Sequence, residues 1–109
     1  MIDRETMEYA AKAAGYKFLG IIHEEGKVIG ALVKMGQRKV GWKPVVKDGD
    51  ALRLAVQLRI DICFGHDFLY TQTTIAPTPM FKESVRDDFY AATRRAITRA
   101  AAGIGRTMP

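Results

Sequence analysis

One cysteine, Cys63, is all the sequence has, so no disulfide can form within the chain and a reducing cytoplasm is the expected setting. Two histidines, His23 and His66, bring the Cys and His residues to three, short of the four ligands of a structural zinc site. Neither a metal nor another cofactor is therefore expected. No apolar run approaches the ~18–20 residues that cross a bilayer, and the acidic opening of Asp3, Glu5 and Glu8 is unlike a signal-peptide n-region. A membrane partner is not expected. Gly36-x-x-x-x-Gly41 is followed by Trp42 rather than by Lys and Ser or Thr, so it is not a phosphate-binding loop. Asp48-x-Asp50, Asp61 and Asp67 lack the spacing of a calcium loop. Cys63 and His23 would make a nucleophile pair only if the fold joined them, and Cys63 among apolar neighbours reads as a small hydrophobe. No catalytic motif is present.

What is there suits one globular domain. The chain has 109 residues, 48% hydrophobic and 27% charged, and that length buries a core without staples. Asp3 predicts an N-cap for a helix from Arg4 to Ala14, with Ile2 and Met7 as a hydrophobic staple and Gly15 as a left-handed stop. Its apolar stripe of Met7, Ala10, Ala11 and Ala14 is thin, so it must pack closely against a flat surface. Tyr16–His23 and Val28–Met35, joined by a Gly26 turn, predict a β-hairpin. Residues 36–49 read as an exposed basic connector broken by Gly36, Gly41, Pro44 and Gly49, with Val45-Val46 as a short edge strand at most.

Asp48 or Asp50 is expected to cap a second helix running to Leu58. Ala51, Leu54, Ala55 and Leu58 form its buried face, widened by Leu52 and Val56. Ile60, Ile62 and Phe64 alternate with polar positions as in a half-buried strand, and Phe68–Thr74 returns from a Gly65-His66-Asp67 turn. Pro77 and Pro79 keep the next segment extended. Ser84 and Asp87 resemble a capping pair for a last helix to Ala102, with Phe89, Ala92, Ala96 and Ala100 inward and residues 103–109 fraying from Gly103. The expected architecture is a single α+β domain of order α-β-β-α-β-β-α, whose two hairpins pair into one antiparallel sheet covered by helices.

The net charge is +5 and unevenly spread. Residues 34–47 hold Lys34, Arg38, Lys39, Lys43 and Lys47 with no acid, and residues 82–109 add a net +3. Arg95, Arg99 and Arg106 recur at four and seven residues and are expected on the solvent side of the last helix. Such segments could attract polyanions. Trp42, the only tryptophan, stands among Lys39, Lys43 and Lys47. It fits either a base-stacking platform or a lid folded back on the core.

Trp42-Lys43-Pro44, residues 48–56 (DGDALRLAV) and residues 91–97 (AATRRAI) resemble segments of small, largely uncharacterised proteins of tailed phages and prophages. The order of a W-x-P element, Pro77-Thr78-Pro79 and a closing Ala/Arg helix is similar to that of the NinX-like phage accessory proteins. The resemblance covers about half the chain and carries over no catalytic residue. It implies a phage origin and a location in the host bacterial cytoplasm. The leading expectation is a non-enzymatic accessory protein that binds an unknown macromolecule, a protein or a nucleic acid, through Trp42, Lys39, Lys43 and Lys47. The alternatives are direct nucleic-acid binding that also uses Arg95, Arg99 and Arg106, and a small enzyme without a recognisable motif.

Overall fold

Asp3 begins the fold as its chemistry predicts: its carboxylate accepts from the Thr6 amide at 2.8 Å and the Thr6 hydroxyl at 2.7 Å. Those bonds hold the Asp3 carboxyl below its ordinary value. The helix they start, α1 (Arg4–Ala14), stops at Gly15 with φ +82°. The computed structural model describes residues 2–85 and 88–109. Strands β1 (Lys17–Glu24) and β2 (Lys27–Met35) are joined by Glu25-Gly26, both at positive φ, the geometry of a type I′ hairpin. A second two-residue turn starts at Gly36, φ +62°, and leads into β3 (Arg38–Trp42), which pairs antiparallel with β2.

The connector expected at 36–49 is thus largely a third strand. Gly36, read as a breaker, supplies the left-handed position that a tight hairpin needs. Val45 and Val46 lie in the turn that follows β3 and form no strand. Helix α2 (Asp48–Gln57) is preceded by Lys47, which gives it no side-chain cap. Neither expected aspartate caps it. Asp50 accepts instead from the Lys43 amide at 2.9 Å and pairs with Arg53 at 2.7 Å. Both acids still favour the positive end of the helix dipole.

The second half repeats the plan with β4 (Ile60–Phe64), β5 (Phe68–Thr73) and β6 (Phe81–Ser84). The result is two separate three-stranded antiparallel sheets, β1-β2-β3 and β4-β5-β6, rather than one four-stranded sheet. Each hairpin recruits its own third strand, β3 and β6, and completes a separate sheet with it. The α+β class stands, in the order α-β-β-β-α-β-β-β-α. Ser84 ends β6 instead of capping a helix, and Asp87 lies outside the described residues. Asp88 is the N-cap of α3 (Phe89–Arg106).

Helix α3 runs past its expected end, and Gly103, Ile104 and Gly105 are buried rather than frayed. The reason is close packing. Helix α1 lies against β1 and β2 and, on its other side, along α3, which in turn carries β4, β5 and β6. Ala10, Ala11, Ala14, Ala100, Ala101 and Ala102 share one core cluster with Met7, Val33, Trp42 and Leu54. A Cβ on Gly105 would collide with the Tyr9 carbonyl oxygen and stand 2.8 Å from its carbon, and one on Gly103 would meet the Phe81 ring at 2.8 Å. On β5 the Thr71 hydroxyl is buried without a partner among the described residues.

Gly105→Ala is expected to lower stability by about 3 kcal/mol, because backbone cannot move aside as a side chain can. Gly20→Ala, with nothing within 4 Å of the added carbon among the described residues, should stay within about 1 kcal/mol of the parent. Denaturant midpoints of the two variants make the comparison.

Candidate functional site

Trp42 closes the core instead of facing solvent. It is 3% exposed, and its ring meets Tyr16 edge-on, with centroids 5.5 Å apart. Period-2 alternation in β3 turns Val40 and Trp42 toward the helices and Lys39 and Gly41 away, so of the two readings of the tryptophan the lid is the one realised. It is no contact residue. Of the lysines around it, Lys39 and Lys43 share the outer face of the sheet and Lys47 does not join them. Lys39 points outward from β3. The stem of Lys43 lies across Gly30 and Gly41, where added Cβ atoms would meet its Cγ at 2.8 Å and its Cε at 4.0 Å. Lys47 stands apart at the start of α2. Trp42→Ala should cost about 3–5 kcal/mol in chemical denaturation, the range for emptying an aromatic site in a core.

The arginine stripe is also not free. Arg95 Nε donates to Glu83 at 2.9 Å and Arg99 Nη1 donates to the other oxygen of the same carboxylate. Arg106 lies 3.7 Å from Glu5 and over the Tyr9 ring. Strand β6, unforeseen in the sequence, presents Glu83 to α3, and that engages Arg95 and Arg99 of the expected polyanion surface in ion pairs. Burial by itself would push the Glu83 carboxyl up, but hydrogen bonds from Arg99 and Arg95, with their charges, outweigh it and hold it below its ordinary 4.5. A folded pKa below the unfolded one gives stability that is present above about pH 4.5 and lost as pH falls through the folded value. Glu83→Gln is expected to cost about 1–2 kcal/mol at pH 7, the arginines being partly solvated, and less at pH 3. Denaturation at the two pH values tests the sign.

A different surface stands out where hydrophobic patterning and burial disagree. Leu52 and Val56 were expected to widen the buried face of α2, yet they are 62% and 70% exposed. Phe64 and Phe89, expected inward, are 63% and 39% exposed, and their rings are 6.1 Å apart. Leu52, Phe64 and Phe89, with Tyr90, line a cleft of about 710 Å³ between α2, the end of β4 and the start of α3. Ile62 and Ile97 lie deeper in it. Arg94 fixes one wall: Nη1 meets Asp48 at 2.6 Å and Nε donates to the Val45 carbonyl at 2.9 Å. The pair neutralises itself and leaves an apolar opening. The sequence signal that could have found it is the excess of large apolar residues on α2 over what one helix face can bury.

His23 on β1 and Cys63 on β4 belong to different sheets, and His66 lies in an exposed turn. Cys63 stands opposite Tyr70 on β5, and a hydrogen bond to its sulfur, with the charge there, raises the phenol above its ordinary 10.0. Among the described residues no three His, Cys, Asp or Glu side chains gather as metal ligands, and no helix is long and apolar enough to cross a membrane. No family model, curated protein or solved structure matches the chain.

Proposed function

We propose that this is a non-enzymatic accessory protein of phage or prophage origin, acting in the host bacterial cytoplasm, and that it holds a partner protein by an apolar segment seated in the cleft of α2, β4 and α3. The supporting observation is the cluster of Leu52, Phe64 and Tyr90, each more than three-fifths exposed around one concavity. Large apolar groups gathered at a cleft mark interaction sites, and aromatic residues dominate the energy of protein contacts. Among the described residues the only charges lining the cleft are Asp48 and Arg94, already paired with each other, so recognition there rests on shape and desolvation. The phage assignment rests on the resemblance of the segments around Trp42, Asp48 and Ala91. Trp42 serves this function indirectly, by closing the core.

A photo-crosslinking residue at Leu52, expressed in a bacterial host carrying the phage genes, should trap one discrete protein that the same residue at Gln72 does not trap. Phe64→Asp should reduce that product at least tenfold, the loss typical of a central contact residue. Because Phe64 is already mostly in solvent, its melting temperature should stay within a few degrees of the parent. Equal trapping at Gln72, or trapping that survives Phe64→Asp, would refute the reading.

A further inference from the structure

We infer that the outer face of the first sheet, β1-β2-β3, is a docking surface for the phosphate backbone of duplex DNA. Residues directly paired across antiparallel strands share a face. Lys17 pairs with Lys34, and Lys34 pairs with Lys39, so one lysine from each strand forms a row across the whole sheet. The helices pack on the opposite side, where Phe18, Val33, Val40 and Trp42 point. Lys43, whose stem crosses Gly30 and Gly41, adds a fourth cation to the same outer face. Among the described residues, none of the four has a carboxylate within ion-pairing distance.

The row has a cost that packing does not explain. Like charges placed directly opposite destabilise a sheet. Lysine on an edge strand can block unwanted pairing, but Lys34 is on the central strand. The rest of the face is low beside the lysines: Gly20, Gly30 and Gly41 have no side chain, and only Leu32 and Ile22, whose Cδ1 reaches over Gly41, rise between them.

The observations favour duplex over single strand, because single-strand platforms stack bases on aromatic side chains. The aromatics of this sheet, Phe18 and Trp42, point inward. They also favour B-form DNA. Strands spaced about 4.8 Å apart set Lys17 and Lys39 roughly 10 Å apart, and their splayed side chains match the two phosphate rims of a major groove about 12 Å wide. The deep, narrow major groove of duplex RNA does not fit that span. Lysines act here as point charges on phosphates, so binding is independent of sequence.

The test is fluorescence anisotropy of a labelled 25-base-pair random-sequence DNA between 50 and 200 mM salt. Four phosphate contacts predict a slope of log affinity on log salt near −3.6, or about a hundredfold weakening over that range. Lys17→Gln/Lys34→Gln/Lys39→Gln should reduce the slope by about 2.7. A control triple of equal charge away from this sheet, Lys12→Gln/Lys47→Gln/Arg59→Gln, should keep the parent slope. Leu32→Lys, adding a cation at the centre of the face, should steepen it by about 0.9, and that arm decides the matter even where the lysine triple fails to fold. The inference is overturned by no DNA binding at 50 mM salt, by equal losses in the two triples, or by no response to Leu32→Lys. It is equally overturned where a single strand, an RNA duplex or polyglutamate binds as tightly as the duplex. Phe64→Asp leaves this face intact, so failure of the protein-docking reading would leave the DNA slope unchanged.

Discussion

The fold depends on how closely α1 and α3 approach. Gly105 lets the α3 backbone come against the backbone at Tyr9, and the alanines of both helices carry that contact along their length. Small residues remove the side-chain layer that normally separates helices by 8–10 Å. The two sheets can then lie outside the helix pair, one on α1 and the other on α3. An alanine-rich centre buries little area per residue, so larger groups such as Met7, Leu54 and Trp42 supply the remaining apolar bulk. Trp42 is therefore needed inside, whatever the lysines beside it suggest.

The same arrangement sorts the charges. Glu83 gathers Arg95 and Arg99, Asp48 gathers Arg94, and Asp50 holds the Lys43 backbone and Arg53. Acids of the second half thus spend themselves on cations of α2 and α3. Much of the positive excess is left on the first sheet, whose outer face carries Lys17, Lys34, Lys39 and Lys43. The apolar excess is left where α2 turns past β4 and α3, because α2 has apolar residues on more of its circumference than its neighbours cover. A basic face and an apolar cleft are distinct surfaces with distinct chemistry.

Local signals were legible wherever a few neighbouring residues settle the outcome. Asp3 and Gly15 bounded α1, and the Gly26 turn set the first hairpin. Alternation at Ile60 and Ile62 placed β4. Two strands were missed because their cues were ambiguous: Gly36 is a breaker in a connector and a requirement in a two-residue hairpin, and Phe81–Ser84 is only four residues beyond a proline segment. The end of α3 was missed for a related reason. Glycine near a helix terminus usually signals a stop, and here Gly103 and Gly105 are demanded by neighbours distant in sequence, Phe81 and Tyr9.

Sequence alone determined the α+β class, the three helices, four of the six strands and the sign and amount of the charge, since periodicity, capping and turn conformation act over a handful of residues. Tertiary structure decided the rest: that Trp42 is enclosed, that the α3 arginines are paired with acids, that Leu52 and Phe64 are uncovered and that three lysines fall into one row. Each depends on partners brought together by packing and strand register, and no short-range pattern carries that information.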